Sequence, residues 1–271
     1  MVPHNDRAVL EVFYHATNGD NWEGNNNWLT DAALWRWTGV RTNEEGRVTT
    51  LHLDGFDNLR GEIPAELANL AKLEVLRLNN NQLSGEIPPE LGSLADLRRL
   101  SLSSNQLTGE IPKELGNLSN LTHLDLYGNR LSGQVPVELG RLTNVEYFRL
   151  NFNQLEGEIP AEMGNLSKVE GFGLRGNRLS GEIPPELGNM TNIRWLDLSE
   201  NQLSGEIPME LANLSNLENL SLYRNKLEGE IPVELAHLSN LRNLTIWGNP
   251  LTGCVPVPFQ GFRGIADLPD C

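Results

Sequence analysis

The chain carries a Ser, His and Asp trio whose residue types could perform nucleophilic catalysis. Ser101, His123 and Asp125 fall in two neighbouring copies of a repeated segment, at positions predicted to face outward from adjacent strands. A catalytic trio needs the base within hydrogen-bond reach of the nucleophile, together with oxyanion donors. Diagonal neighbours on an open sheet hold their Cβ atoms roughly 7 Å apart, and no segment builds an oxyanion hole. We therefore predict that the chain is not an enzyme.

Cofactor and metal chemistry find no support in the residue types. The sequence has no Gly-rich phosphate-binding loop and no Cys/His spacing typical of a metal site. Two glutamate columns recur along the chain, from Glu62 to Glu230 and from Glu66 to Glu234. Like charges in neighbouring repeats, about 5 Å apart, repel each other. A calcium site needs several converging oxygen ligands. We interpret the columns as a solvated acidic flank, with a divalent-ion site as the alternative, and expect no cofactor.

Other outward positions have residue types suited to binding. Aromatic rings flanked by arginines are typical of interface hot spots. One repeat has glycine at three outward positions, Gly171, Gly173 and Gly176, which predicts a furrow between two aromatic walls. The predicted partner-binding residues are Tyr127, Tyr147, Arg149, Asn151, Phe152, Arg175, Trp195, Asp197 and Tyr223. The alternative is an aromatic ladder that has no partner.

A 24-residue repeat must position these side chains. It reads LEVLRLNNNQLSGEIPPELGSLAD from Leu73, and a slightly longer copy precedes it at Val48. Further copies begin at Leu97, Leu121, Val145, Val169, Ile193, Leu217 and Leu241. A fixed period of this size predicts a solenoid in which each unit packs on its neighbours.

Each letter of the repeat has a predicted structural role. The segment x-L-x-L-x predicts a short strand with its two leucines facing inward. The recurring Asn is predicted to hydrogen-bond backbone groups where the strand turns away. The Gly that follows allows a tight bend, and the segment after Ile-Pro predicts a short helical or 3-10 turn on the convex side. The predicted fold class is therefore an α/β solenoid with a parallel concave sheet.

We expect one continuous domain with a cap at each end. The predicted parts are an N-terminal cap (1–47), nine repeats (48–256) and a C-terminal cap (257–271). In the first cap, DRAVLEVFYHAT predicts a helix from Asp6 to Thr17 with Asn5 as its N-cap. Four tryptophans in the same segment are predicted to cover the exposed end of the core.

The chain has two cysteines, Cys254 and Cys271, and both lie at the C-terminal end. A disulfide between them would stabilise the fold by roughly 3 kcal/mol and would imply an oxidising compartment; two free thiols are the alternative. Phe259, Phe262 and Ile265 are predicted to cover the last core layer. The start, MVPHNDRAVLE, has no signal-peptide pattern. We expect a secreted or cell-surface protein whose signal has been removed, with a cytosolic protein as the alternative.

Charge and hydropathy restrict the partners. The formal net charge is −15 and no basic stripe is present, so nucleic acid and anionic membrane surfaces are disfavoured. No apolar run approaches 18 residues, so we expect no transmembrane helix. We expect a monomer, with self-association as the alternative.

Two sets of motifs resemble a known family. The segments D-R-x-x-L-x-x-x-Y/F-x-A-T-x-G-x-x-W, W-x-G-V and R-V-T-x-L-x-L resemble the N-terminal cap of plant-type leucine-rich-repeat proteins, in the form seen in algal and bacterial members. The repeats, with G-E-I-P-x-E-L-G-N-L, resemble receptor-kinase ectodomains and polygalacturonase-inhibiting proteins. The resemblance implies a leucine-rich-repeat superhelix that recognises peptides, proteins or cell-wall polysaccharide.

The chain departs from that family in two places. The plant cap carries a cysteine pair, but Trp35 and Thr42 stand near those places here, so we predict a cap held by packing alone. Plant peptide receptors use an outward Arg-x-Arg pair on late repeats, which has no counterpart here. We predict a non-enzymatic recognition module that binds a protein, peptide or polysaccharide through the concave face. The alternatives are a structural or adhesive surface protein without a defined ligand, and an inhibitor of a polysaccharide-degrading enzyme.

Overall fold

The computed structural model describes residues 5–55, 58–260, 262, 264–265 and 268–269. One α-helix, Asp6–Ala16, begins the chain and buries Leu10, Phe13 and Tyr14. The Asn5 side chain accepts a hydrogen bond from the Ala8 N–H at 3.0 Å, as predicted for an N-cap. The helix ends one residue earlier than predicted, because Thr17 is its C-cap and bonds back to the Phe13 carbonyl.

A ten-stranded sheet forms the concave side. Its strands in spatial order are Val40–Thr42, Val48–His52, Val75–Arg77, Arg99–Ser101, His123–Asp125, Tyr147–Arg149, Gly171–Gly173, Trp195–Asp197, Asn219–Ser221 and Asn243–Thr245. The first pair is antiparallel and every later pair is parallel. The order follows the chain, so each repeat lies beside the previous one.

The inward leucine positions form the core, as predicted. Leu76, Leu100 and Leu124 lie opposite one another in register and are fully buried. Where phenylalanine replaces leucine, Phe148 and Phe172 stack with their ring centroids 4.9 Å apart and their planes at 9°. Each repeat therefore buries its apolar side chains against the next repeat, which a single repeat could not do alone.

The asparagine column is the predicted hydrogen-bond ladder. Asn105 donates to the Leu78 carbonyl at 2.9 Å and the Leu102 carbonyl at 3.0 Å, and accepts from the Leu83 N–H at 3.0 Å. The same side chain therefore joins its own repeat to the preceding one. Equivalent bonds are made by Asn81, Asn129, Asn153, Asn177, Asn201, Asn225 and Asn249.

The convex side is made of short strands and 3-10 turns. Gly85 takes φ +76°, which confirms the predicted tight bend. The paired short strands are Arg60–Glu62 with Gln82–Ser84, Glu156–Gly157 with Arg178–Leu179, and Ser204–Gly205 with Lys226–Leu227. The 3-10 helices are Gly19–Asn21, Leu34–Arg36, Ala65–Asn69, Pro89–Ser93, Lys113–Asn117, Val137–Arg141, Ala161–Asn165, Pro185–Asn189, Met209–Asn213, Val233–His237 and Val257–Phe259.

The N-terminal cap has a polar clasp in addition to its aromatic packing. Asp6 is buried, accepts from the Val48 N–H at 2.8 Å and pairs with Arg47 at 3.1 Å. Arg7 donates to two backbone carbonyls, of Thr30 and Ala32, at 2.6 and 2.7 Å. The prediction that packing alone holds the cap was therefore wrong: a buried ion pair and the Val48 N–H tie the helix to the start of the first repeat, and the Arg7 bonds tie it to the cap loop.

Three of the four cap tryptophans form the predicted cover. Trp22, Trp28 and Trp37 are buried and contact one another at centroid distances of 4.9 and 5.0 Å. Trp35 is 59% exposed and stands over Arg36 instead. The lid over the first repeat is therefore built from three indole rings together with Phe13.

The C-terminal segment packs on the last repeat. Phe259 is buried, and Phe262 and Ile265 are partly buried against the same core, as predicted. The Val255 N–H donates to the Pro269 carbonyl at 2.8 Å. Cys271 lies outside the described residues, so its predicted disulfide with Cys254 stays a prediction.

Candidate functional site

The first feature of the concave face is a row of side chains aligned across three neighbouring strands. Strand register places Tyr147, Gly171 and Trp195 side by side. The Arg149 guanidinium lies 5.9 Å from the Trp195 ring centroid, within the range of a cation–π contact. We call these four residues the inner row. The 24-residue period alone brings them together, because each repeat adds one strand.

The glycines of the inner surface do not leave an open furrow, and that prediction was wrong. A Cβ atom on Gly171 would lie 3.3 Å from Cε3 of Trp195 and 3.4 Å from Cδ1 of Tyr147. The two rings therefore lean over Gly171 from both sides and bury it. Gly173 lies under the Asn151 amide and Gly176 under the Phe152 ring. Glycine here lets neighbouring side chains fold inward, which makes the surface smoother.

Two polar residues that were predicted to contact a partner are buried by this packing. Asn151 is 5% exposed and Asp197 is 6% exposed. The Asp197 Oδ1 accepts hydrogen bonds from the Ser199 N–H and hydroxyl. Burial raises the pKa of the Asp197 carboxyl, and the bonds from Ser199 and the charge of Arg175 oppose this in part. Asn151 and Asp197 therefore support the surface from below and present little area to a ligand.

A second row runs along the edge of the concave face. Tyr127 contacts Phe152 edge-on at 5.3 Å, and the Arg175 guanidinium lies 5.0 Å from Phe152 and 5.4 Å from Tyr223. Tyr223 stacks on Trp247 at 4.9 Å with an interplanar angle of 9°. We call these five residues the outer row. The predicted residues Tyr127, Phe152, Arg175 and Tyr223 thus form one continuous arrangement of rings and guanidinium.

Glu200 fixes the arginine of the outer row. Its carboxylate pairs with Arg175 at 3.1 Å and with Arg224 at 3.1 Å, and Arg224 lies 4.8 Å from the Trp247 ring. Arg175 is thereby held by two rings and one carboxylate. A cation with so few free rotamers loses little entropy when it meets a ligand.

Sequence reasoning missed Trp247 and Glu200 as members of the site. Trp247 lies 24 residues after Tyr223 in the same column, so the repeat register contained the signal. Glu200 occupies the column of Phe152, whose non-glycine members take positive φ, for example 55° at both of these residues. The repeat pattern gives no sign of this backbone conformation at a non-glycine residue, so it did not single out Glu200.

The Ser, His and Asp trio does not form a catalytic arrangement. His123 Nε2 contacts the Arg99 guanidinium at 3.1 Å and Nδ1 contacts the Thr122 hydroxyl at 2.8 Å. Because arginine only donates, Nε2 must be the unprotonated acceptor. Burial lowers the pKa of His123, and the charges of Arg99 and Arg149 add to the effect. Both ring nitrogens are therefore engaged away from Ser101, which is itself buried.

Across the residues that the structure describes, no helix has both the length and the apolar character needed to cross a bilayer. Across the same residues, no group of three or more His, Cys, Asp or Glu side chains is placed to hold a metal ion.

Comparison with known families matches most of the repeats. The leucine-rich-repeat models match residues 71–113 and 95–137, and 144–166, 168–190, 192–214 and 216–238. Together these segments make up more than half of the chain. The comparison with curated proteins gives no match.

Several solved structures share the fold. The leucine-rich-repeat ectodomain of the Arabidopsis thaliana membrane receptor kinase GASSHO1/SCHENGEN3, in complex with CASPARIAN STRIP INTEGRITY FACTOR 2, is 40% identical with a TM-score of 0.83, and the match covers 95% of this chain and 34% of that chain. The plant peptide hormone receptor RGFR1 in complex with RGF2 is 33% identical with a TM-score of 0.73, covering 81% and 39%. A plant ice-binding protein is 29% identical with a TM-score of 0.80, covering 98% and 97%.

The chain thus spans between a third and two fifths of the length of these two receptor ectodomains. The matches to the repeat models, the parallel concave sheet and the sequence identities all indicate the same fold. The chain belongs to the plant-type leucine-rich-repeat family.

Proposed function

We propose that the chain is a non-enzymatic recognition module that binds a peptide or an extended protein segment along its concave face. The observation that carries the proposal is the pair of rows on one sheet. Tyr127, Tyr147 and Phe152 are each about two fifths exposed, and Arg149 and Arg175 stand against aromatic rings beside them. Exposed aromatics and arginines are the residues that dominate binding energy at protein interfaces.

The rigidity of the surface supports this proposal. Every strand of the concave sheet is hydrogen-bonded to a neighbouring strand, and the asparagine ladder ties each turn to the one before it. Side chains on such a surface are already ordered before binding, so less conformational entropy is lost on association. A surface that presents aromatic rings and guanidinium groups together suits a polypeptide partner.

The family comparison supports the same class of partner. RGFR1 is a peptide hormone receptor in complex with RGF2, and the GASSHO1/SCHENGEN3 ectodomain is in complex with CASPARIAN STRIP INTEGRITY FACTOR 2. The present chain keeps the repeat architecture of those ectodomains over a third to two fifths of their length. We infer that it too recognises a polypeptide.

Further parts of the proposal concern location and assembly. We infer a secreted or cell-surface protein, a Cys254–Cys271 disulfide, and a monomer with the cap and repeat boundaries given above. The position of the two cysteines at one end and the similarity to receptor ectodomains support the secreted location and the disulfide. Intact mass before and after reduction tests the disulfide: a gain of two hydrogens on reduction supports it, and an unchanged mass counts against it.

The function is tested by selecting ligands from a phage-displayed library of random peptides against the wild-type protein. The test variant is the double change Trp195→Ala and Arg175→Gln, which removes one ring and one charge but keeps a hydrogen-bonding side chain. The matched control changes two exposed residues away from the concave sheet, Met209→Ala and Val233→Ala. We expect the selected peptides to bind the test variant at least about tenfold more weakly and the control unchanged. Equal binding to all three proteins would exclude the concave face.

Ice binding is a second candidate, favoured by the match to a plant ice-binding protein over nearly the whole of both chains. The convex side argues against it, because Glu158, Glu182 and Glu206 place a carboxylate in three successive repeats and ionised carboxylates hold water strongly. We expect no thermal hysteresis at millimolar protein. A measurable hysteresis gap would favour ice binding over peptide recognition.

A further inference from the structure

A separate depression of about 270 Å³ lies on the early part of the concave sheet. Its lining includes Arg77, Arg99, Ser101, His123, Asp125 and Arg149. These residues belong to four adjacent strands, three of which precede the inner row. The lining shares Tyr147 and Arg149 with the inner row, and the proposed function leaves its other charged residues without a role.

The charge of this depression is opposite to that of the whole chain. Three arginines and one aspartate line it, and His123 is neutral because its Nε2 accepts from Arg99. The lining therefore carries a surplus of two positive charges in a chain whose formal net charge is −15. Such a local reversal attracts anions to the concave face.

Two of the three arginines have no carboxylate partner. Arg77 pairs with Asp54 outside the lining, as Arg175 pairs with Glu200 in the outer row. Within the described residues, neither Arg99 nor Arg149 forms an ion pair. The chain has 36 acidic residues against 21 basic ones. Arginines on the concave face that lack an ion pair are therefore unexpected in a chain with an excess of carboxylates.

The surrounding groups hold both arginines in place. The Arg99 guanidinium donates to His123 Nε2 at 3.1 Å, while His123 Nδ1 donates to the Thr122 hydroxyl at 2.8 Å. Thr122 in turn donates to the Arg98 carbonyl at 3.0 Å. Arg149 stands against the Trp195 ring. The nearby Asp125 carboxylate accepts from the Tyr127 N–H at 3.2 Å, and among the described residues it forms no ion pair with either arginine.

We propose that this depression binds the carboxylate of an acidic side chain, Asp or Glu, of a polypeptide ligand. The strands of Arg99 and Arg149 are separated by one strand, so their backbones lie roughly 10 Å apart, and both residues line the same depression. Guanidinium groups bind carboxylates in a bidentate, charge-assisted geometry. Only the polypeptide nature of the ligand rests on the proposed function; the carboxylate site itself rests on the charges of Arg99 and Arg149 in the depression.

A small probe tests the pocket independently of any peptide. N-acetylglutamate α-amide carries one side-chain carboxylate, and N-acetylglutamine amide is its neutral match. Both are titrated at constant ionic strength while the ring resonances of His123 are followed by NMR, with His123→Gln giving the assignment. We expect a saturable shift with the glutamate probe and none with the glutamine probe. A sodium chloride titration that reproduces the shift would overturn the proposal.

Paired variants decide which residues bind the probe. Arg99→Gln with Arg149→Gln removes both unpaired charges, and Arg194→Gln with Arg242→Gln removes two charges that already pair with Glu218. We expect the first pair to weaken the glutamate probe at least about tenfold and the second to leave it unchanged. Equal affinity for all three proteins would overturn the pocket. Failure here with intact Trp195-dependent peptide binding would leave the proposed function standing.

Discussion

The buried clasp of the N-terminal cap gives the sharpest prediction about stability. Asp6→Asn keeps the size of the side chain but removes its charge. In the wild type, Asp6 pairs with Arg47 at 3.1 Å, and the two side chains are 5% and 13% exposed. Its Oδ2 also accepts from the Val48 N–H at 2.8 Å. The substitution therefore leaves a guanidinium inside the cap without its counter-charge.

The expected cost follows from burial. Removing one partner of a buried ion pair costs about 3–5 kcal/mol, because the other charge stays desolvated and unpaired. Since asparagine still offers an oxygen to Val48, we expect about 3 kcal/mol, the lower end. The matched control is Asp96→Asn, whose partner Lys72 lies at a similar 3.0 Å but in a pair that is 42% and 51% exposed. An exposed pair contributes about 0–1 kcal/mol.

The measurement must report on the cap, because solenoids open segment by segment. Trp22, Trp28 and Trp37 are buried there, so urea unfolding followed by tryptophan fluorescence senses this segment. We expect the Asp6→Asn midpoint to fall well below that of Asp96→Asn at an unchanged m-value. If the free energies of unfolding of the two variants agree within about 0.5 kcal/mol, the argument is refuted. That argument is that the burial of the clasp, and not the ion pair as such, sets the loss of stability.

Two further predictions concern the ladder and the inner surface. Asn153→Ala removes hydrogen bonds to the Leu126 and Leu150 carbonyls and from the Leu131 N–H. Because each buried polar group left without a partner costs about 1–3 kcal/mol, we expect the free energy of unfolding in urea to fall by at least about 3 kcal/mol. A decrease of less than about 1 kcal/mol would contradict the structural role of the asparagine ladder. The raised pKa of Asp197 means that its ionised form destabilises the fold above the folded pKa, and that this penalty vanishes below the unfolded pKa. Asp197→Asn should therefore raise the melting temperature at pH 7 and leave it unchanged near about pH 3; a lower melting temperature at pH 7 would contradict the assignment.

The sequence predicted the features that repeat. A fixed period forces each leucine, asparagine and bend glycine into the same environment in every copy, so local reasoning about one copy applies to all. Leu76, Asn105 and Gly85 illustrate this, since each is found where its type requires. The outward positions could be enumerated for the same reason, and seven of the nine predicted site residues lie in the inner and outer rows.

The features that break the period were harder to predict. The direction of a side chain on a strand depends on the space beside it, so glycine at 171 and 173 drew Tyr147, Trp195 and Asn151 inward and closed the expected furrow. The clasp of Asp6 with Arg47 joins residues 41 positions apart, and no local pattern signals such a pair. Both misses arise from contacts between segments whose geometry the repeat does not define.

The most direct test of concave-face recognition is fluorine NMR of protein labelled with 5-fluorotryptophan and titrated with a peptide selected against the wild type. The chain has six tryptophans, and Trp195 and Trp247 lie in the two rows, whereas Trp22, Trp28 and Trp37 are buried in the cap and serve as internal controls. Substitution of Trp195 by phenylalanine assigns its signal. We predict that the peptide shifts the Trp195 resonance and leaves the three cap resonances in place. Saturable binding that moves only cap resonances, with Trp195 and Trp247 unchanged, would contradict recognition through the concave face.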